Sequence, residues 1–316
     1  MTVTLDDIKQ AQQRIQPYIH CTPILQSTQL NKLFTCELFF KADNMQKVGA
    51  FKARGACNAL FSMTQEALAN GVITHSSGNH GAALAWAAAM RKASCTVVMP
   101  ENAPQAKKDA VLSYGATVVY CEPTMTAREG TVTRLIEQQG ARLVHPYDDD
   151  LIIAGQGTAT LETLAQLDKP ADVLMTPVGG GGLLGGSAIV VKQSPQAGIT
   201  RVIGAEPEAA NDAWLGFRSG ARLAEFVPNT IADGLRGTVG VRNFEIITQH
   251  VDDILLASEA RIVEAMKLIW TRLKIVVEPS AAVPLAAIMD QPEQFNGKRV
   301  AIILSGGNLD LDALPW

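Results

Sequence analysis

The stretch DVLMTPVGGGGLLGGSAIVV, residues 172–191, decides the fold. An apolar run of strand length delivers the chain into Gly179, Gly180, Gly181 and Gly182, and an apolar run of helix length follows. A strand that is apolar throughout, rather than alternating, is one buried on both faces, as in a parallel sheet covered by helices. Four successive glycines are costly in backbone entropy, so they make sense where the backbone must approach a ligand closely. Their N–H groups, backed by the helix dipole, suit a phosphate. Which phosphate stays open here. Gly180, Gly182 and Gly185 also fit G-x-G-x-x-G, and Glu206 ends the next strand about twenty residues on, the spacing of a dinucleotide site.

The same pattern repeats outward from this stretch. Apolar, β-rich runs at 37–41, 95–99, 117–121, 172–177, 201–205 and 299–304 predict strands. Alanine- and leucine-rich runs at 5–15, 81–91, 104–114, 127–138, 156–165, 183–193, 259–273 and 281–289 predict helices. Strand then helix, repeated, predicts an α/β protein with right-handed crossovers. The chain of 316 residues suits two domains, since domains run to roughly 100–200 residues. A compact β-α series over 71–148 reads as a small inserted domain, leaving 1–70 and 149–316 as a large, discontinuous one. The net charge of −4 offers no basic patch for nucleic acid or an anionic membrane. Five cysteines, none in C-x-x-C spacing, predict reduced thiols and a cytoplasmic protein. A polar, acidic N-terminus and the lack of any long apolar run predict neither signal peptide nor membrane span.

Four other segments carry chemistry. In GAFKARGA, 49–56, Lys52 lies between Phe51 and Ala53, with glycines three before and three after. An amine in an apolar, tightly turned setting loses its proton more easily and can then attack an aldehyde to form a Schiff base; a surface lysine at a helix start is the alternative. In THSSGNHGAALAWAAA, 74–89, a polar turn enters an alanine-rich helix. That turn offers backbone N–H groups together with Ser76, Ser77, Asn79 and His80 to an anion such as a substrate carboxylate, or is an ordinary helix cap. In RVIGAEPEAANDAW, 201–214, Glu206 and Asp212 are either two hard ligands for Mg²⁺ or Ca²⁺ or two capping residues. In KRVAIILSGGNLDL, 298–311, a buried strand delivers Ser305 at its carboxyl end, the edge where open α/β sheets bind ligands.

Taken together, these segments resemble the serine/threonine dehydratase and serine racemase family of fold-type II pyridoxal-phosphate enzymes, whose fold is like that of the tryptophan synthase β subunit. The resemblance covers essentially the whole chain and includes HPYDDDLIIAGQGTATLE (145–162), TIADG (230–234) and VVEPSAA (276–282), all in the family's order. It implies two lobes, each with a mostly parallel sheet flanked by helices. Lys52 would carry pyridoxal 5'-phosphate, Phe51 would lie beside the ring, and Asn79 would bond the ring hydroxyl. Gly179 to Gly182 with Leu183 would hold the phosphate, and Ser305 would face the pyridine nitrogen. Ser77 would be the second acid/base, on the ring face opposite the lysine. Glu206, the carbonyl of Ala210 and Asp212 would hold Mg²⁺, or Ca²⁺ or Mn²⁺ in its place. The implied reaction removes ammonia from L-serine, L-threonine or threo-3-hydroxyaspartate, with serine racemase activity beside it. A dedicated racemase is the alternative, and an NAD-dependent oxidoreductase a distant one. A small amino acid as substrate and a homodimer follow from the same resemblance.

Some positions depart from the family pattern. Ala50 stands where many dehydratases have serine, and GAFK with EPEAAND is closer to the 3-hydroxyaspartate ammonia-lyase branch. Tyr147 replaces the asparagine of mammalian-type racemases. Ala82 replaces a glutamine linked there to nucleotide binding, so ATP regulation is not expected. No regulatory domain is expected after SGGN.

Overall fold

The structure, a computed structural model, describes residues 3–76 and 78–316. Among these residues, ten strands form two sheets. They are β1 Ile24–Leu25, β2 Glu37–Lys41, β3 Val72–His75, β4 Cys95–Pro100, β5 Thr117–Cys121, β6 Arg142–Leu143, β7 Val173–Pro177, β8 Arg201–Pro207, β9 Asp253–Ala257 and β10 Arg299–Ile303. The helices of the first half are α1 Leu5–Ile15, α2 Thr28–Phe34, α3 Lys52–Phe61, α4 Asn79–Met90, α5 Gln105–Ser113 and α6 Met125–Gln139. Those of the second half are α7 Asp150–Gln166, α8 Gly182–Lys192, α9 Asp212–Ser219, α10 Val241–His250, α11 Glu259–Leu273 and α12 Pro279–Asp290.

The six-stranded sheet runs β1-β2-β10-β7-β8-β9, parallel throughout except for β1. The four-stranded sheet runs β5-β4-β3-β6 and is parallel throughout. Its strands occupy 72–143, between β2 and β7 in sequence, so the chain leaves the larger sheet and returns to it. Alternation along β7 explains its unbroken apolar run. Val173 and Met175 join a core with α11 and α12, while Leu174 joins one with α8 on the opposite face. The lysine segment is pinned to the end of β10: the Phe51 N–H donates to the Ser305 carbonyl at 3.0 Å, and Ala50 forms a bridge with Gly306.

Several predicted helices begin earlier than expected, α6 at Met125 rather than 127 and α12 at Pro279 rather than 281 among them. α4 starts at Asn79, not at 81, and α7 at Asp150, not at 156. For α7 the cause is Asp149, whose carboxylate accepts from the N–H groups of Leu151 and Ile152, so the helix is capped before its glycines. Gly155 and Gly157 are spacers rather than breakers. A Cβ at Gly155 would stand 2.6 Å from the Gly55 Cα, and one at Gly157 3.0 Å from the Gly186 carbonyl oxygen. Strands β1, β3, β6 and β9 and helices α2, α3, α9 and α10 lie outside the predicted list.

Candidate active site

Lys52 is the first residue of α3. Its Nζ donates to the Pro146 carbonyl at 2.7 Å and lies 5.1 Å from the Phe51 ring centroid and 6.0 Å from that of Tyr147. No carboxylate pairs with it among the described residues. Burial therefore acts unopposed and lowers its pKa to about 8.

The glycine loop follows β7 and opens α8. Gly181 has φ +90°, a conformation open to glycine, and Gly182 is the first helical residue. The Gly180 carbonyl turns away to accept from Gly240 N at 3.1 Å and Asn243 Nδ2 at 2.7 Å. Among the described residues the N–H groups of Gly179, Gly180, Gly181 and Gly182 donate to no protein acceptor. A row of unpaired amides at a helix N-terminus fits a phosphate. Tyr147 closes over the loop: a Cβ at Gly180 would stand 2.2 Å from its ring. Leu183 packs with Phe51 and Ile303, and Ser305 is buried at the end of β10.

Ser76 accepts from the Gly78 N–H at 3.2 Å and caps its own turn. Ser77 lies outside the described residues. The Asn79 side chain donates to both oxygens of Glu278 and accepts from Asn308 Nδ2 at 2.9 Å. His80 is buried, with Nε2 at 3.3 Å from the Val144 carbonyl. Burial, and then the Lys52 charge, hold its pKa well below the ordinary value, so the ring is neutral. It is a structural hydrogen-bonder here, and its backbone N–H is what it can offer an anion.

Glu206 lies in β8, Ala210 in a 3₁₀ turn, and Asp212 at the start of α9. Glu206 accepts from Ala213 N and Trp214 N at 3.0 and 2.8 Å, and Asp212 from Val239 N at 2.9 Å. Burial raises both pKa values, and the Asp212 charge adds to the rise at Glu206. Two buried carboxylates that repel fit a hard cation. Among the described residues no cluster of three or more His, Cys, Asp or Glu side chains joins them, so water would complete such a shell.

Sequence reasoning missed several neighbours. His145 Nδ1 accepts from Asp148 N at 2.8 Å, and its ring lies edge-on to those of His75 and Tyr147. Arg128, half-buried on α6, has an Nε with no partner among the described residues, and its charge is felt at His75. Glu278 caps α12 and is fully enclosed. A carboxylate inside the apolar run VVEPSAAVPLAAI was the available signal for Glu278. Nothing local marked Arg128 among the other basic residues.

A desolvated lysine opening a helix that is pinned to the end of a buried strand, together with a loop of unpaired amides, suits an enzyme class that holds a phosphorylated carbonyl cofactor. A family model for pyridoxal-phosphate dependent enzymes matches residues 15–306. The chain belongs to that family. It is 49% identical over 313 residues to a beta-hydroxyaspartate dehydratase of Paracoccus denitrificans (strain Pd 1222), covering 99% of this chain and 98% of the relative. The crystal structure of serine racemase from Dictyostelium discoideum matches with a TM-score of 0.92 and 49% identity, covering 98% of this chain and 100% of that one. The crystal structure of a T.th. threonine deaminase matches with a TM-score of 0.91 and 43% identity over 98% and 99% of the two chains.

Proposed function

We propose that this chain is a pyridoxal-phosphate-dependent ammonia-lyase for β-hydroxy amino acids, with threo-3-hydroxyaspartate preferred over L-serine and L-threonine. The observation that carries the lyase reading is the Lys52 amine, unpaired with any described carboxylate and shifted to about 8. Such a group takes and returns a proton near neutral pH. The cofactor, when bound, supplies a ring that spreads negative charge from Cα. Gly179, Gly180, Gly181, Gly182 and Leu183 would hold its phosphate, Asn79 its ring hydroxyl, and Phe51 one side of the ring. Ser305 would bond the ring nitrogen without holding it protonated, because a neutral hydroxyl does not stabilise a positive ring. Ser76, Ser77 and the backbone of Asn79 and His80 would bind the substrate carboxylate.

Lys52 removes the Cα proton and the β-hydroxyl departs with a proton, a net loss of water. The enamine product then takes up water and yields a 2-oxo acid and ammonia. The acidic substrate is favoured by Arg128, whose half-buried guanidinium keeps an unused donor that a second carboxylate would satisfy. Glu206, the Ala210 carbonyl and Asp212 would hold Mg²⁺, or Ca²⁺ or Mn²⁺. Residues 71–148 would form the small domain, 1–70 and 149–316 the large one, and the enzyme would be a cytoplasmic homodimer. No described helix is long and apolar enough to cross a membrane.

A second reading, a serine racemase, draws support from the Dictyostelium relative. It needs a proton donor on the face opposite Lys52, the role given to Ser77. One experiment addresses both readings. Purified protein is reduced with borohydride and mapped by mass spectrometry, then assayed with the three substrates, with and without Mg²⁺, for 2-oxo acid and D-amino acid. The expected results are an adduct on Lys52, fastest turnover of threo-3-hydroxyaspartate, and loss of D-serine formation in Ser77→Ala with some L-serine elimination kept. An adduct on another lysine refutes the lyase reading.

A further inference from the structure

Glu278 is a carboxyl group in an enclosed place, and its partners come from both sheets' elements. It caps α12, behind the six-stranded sheet, and its N–H donates to the Gly306 carbonyl at 3.1 Å. Asn79, at the start of α4, donates its amide to Glu278 Oε1 at 2.9 Å and Oε2 at 3.2 Å. Asn308 Nδ2 then donates to the Asn79 Oδ1 at 2.9 Å and to the Val48 carbonyl at 2.7 Å. The amide of Asn79 is thus held at both ends. Beside this chain of bonds, Lys107 of α5 pairs with Asp233. The fit leaves no slack: a Cβ at Gly306 would stand 2.6 Å from Glu278 Oε1 and 3.1 Å from Asn79 Nδ2.

We propose that Glu278 is a positioning residue whose carboxylate fixes the Asn79 side chain for the cofactor. The proposal rests on the reading above that Asn79 contacts the cofactor ring. Both carboxylate oxygens accept at full strength only while the group is ionised; a proton on one of them makes it a donor and a weaker acceptor toward the Asn79 amide. Two charged groups act on Glu278: Asp233, ahead of α10, and Lys107, on α5. α4 and the turn after β10 present the neutral Asn79 amide and the Asn308 backbone. Burial and then Asp233 raise the Glu278 pKa to about 7, with Lys107 and the hydrogen bonds opposing the rise. The hold on Asn79 is therefore complete above neutrality and loosens below it. Because Asn79 and Lys107 lie on helices flanking the four-stranded sheet while Glu278 and Asp233 belong to the other unit, the same contacts tie the two together.

The test reads cofactor affinity of the whole protein between pH 5.5 and 8.5, together with its visible absorbance band. In the wild type the dissociation constant should rise as pH falls through about 7. Glu278→Gln should remove that step and bind cofactor about tenfold more weakly at pH 8, the scale of one hydrogen bond to a charged group. Asp233→Asn, which removes a negative neighbour, should move the step to lower pH. Lys107→Met, which removes a positive one, should move it to higher pH. A merely structural role would not produce opposite displacements. A Glu278→Gln protein with the wild-type profile overturns the inference, as do Asp233→Asn and Lys107→Met profiles that move together or stay fixed. If Glu278→Gln does not fold, the two neighbour variants decide alone. Asn79→Ala separates the layers. Weakened binding there beside wild-type behaviour in Glu278→Gln sinks this inference only. Unchanged binding in Asn79→Ala sinks both it and the placing of Asn79 against the ring.

Discussion

At the scale of the residue, the proposed preference for an acidic substrate rests on one guanidinium. Arg128 is half-buried, which lowers its pKa, with the Cys121 and Tyr147 charges opposing, yet its Nε has no described partner. A buried donor left unmade costs about 1–3 kcal/mol. A substrate with a second carboxylate would recover that, whereas serine and threonine would not. Arg128→Ala should raise the KM for 3-hydroxyaspartate by about tenfold to a hundredfold, the range of a charge-assisted pair, and leave that for L-serine within about twofold. Steady-state kinetics on both substrates checks it, and equal losses on both would refute the preference. The neighbouring His75 and His145 do not compete for the acid. Burial is the largest cause lowering each, with His75 brought to about 4, so both rings are neutral at pH 7.

At the scale of the element, glycines that look like flexible punctuation serve as clearance. Gly180 lies under the Tyr147 ring, and a Cβ there would meet it at 2.2 Å, so the ring or the loop would have to shift. Gly180→Ala should therefore lower stability by about 1–3 kcal/mol, as overpacking does, and weaken cofactor binding. Thermal melting with and without added cofactor measures both, and an unchanged melt would show that Tyr147 yields freely. This element also shows how far the sequence could be read. The β7–glycine–α8 unit was legible because strand, turn and helix are contiguous and each obeys its own period. The start of α7 was not, because Gly155 and Gly157 read as breakers until α3 and α8 are packed against them. Strand β9 was missed because Asp252 just before it and Asp253 at its start hide a run whose burial depends on pairing with β8.

At the scale of the whole molecule, a buried ionic cluster holds the lysine helix in place. Arg54, two residues after Lys52, donates to Asp43 at 2.7 and 2.9 Å and to Glu162 at 2.8 and 2.9 Å. Lys41 adds a bond to Glu162 at 2.7 Å. Two cations and two anions cancel, and the four come from β2, the turn after it, α3 and α7. Burial alone would raise the Asp43 pKa, but the Arg54 charge and hydrogen bonds overcome it and hold the group below its ordinary value. Arg54→Met should cost about 3–5 kcal/mol, because it strands Asp43 without a cation within direct reach. Urea denaturation measures this; a loss under about 1 kcal/mol, the scale of an exposed pair, would mean that the cluster relaxes into water.

By itself, the sequence determined the α/β class and the family, and it singled out Lys52 and the glycine loop as the candidates for holding a cofactor. Each of these is written in neighbouring residues: apolar period, glycine runs and a lysine among small side chains act over a few positions. The tertiary structure alone decided which distant groups share a charge or a bond. Asn79 meets Glu278 across 199 positions and Arg54 meets Glu162 across 108. Such meetings depend on sheet order and on which helix faces which, and their energies come from burial, a property that no single stretch of chain possesses until the rest has packed around it.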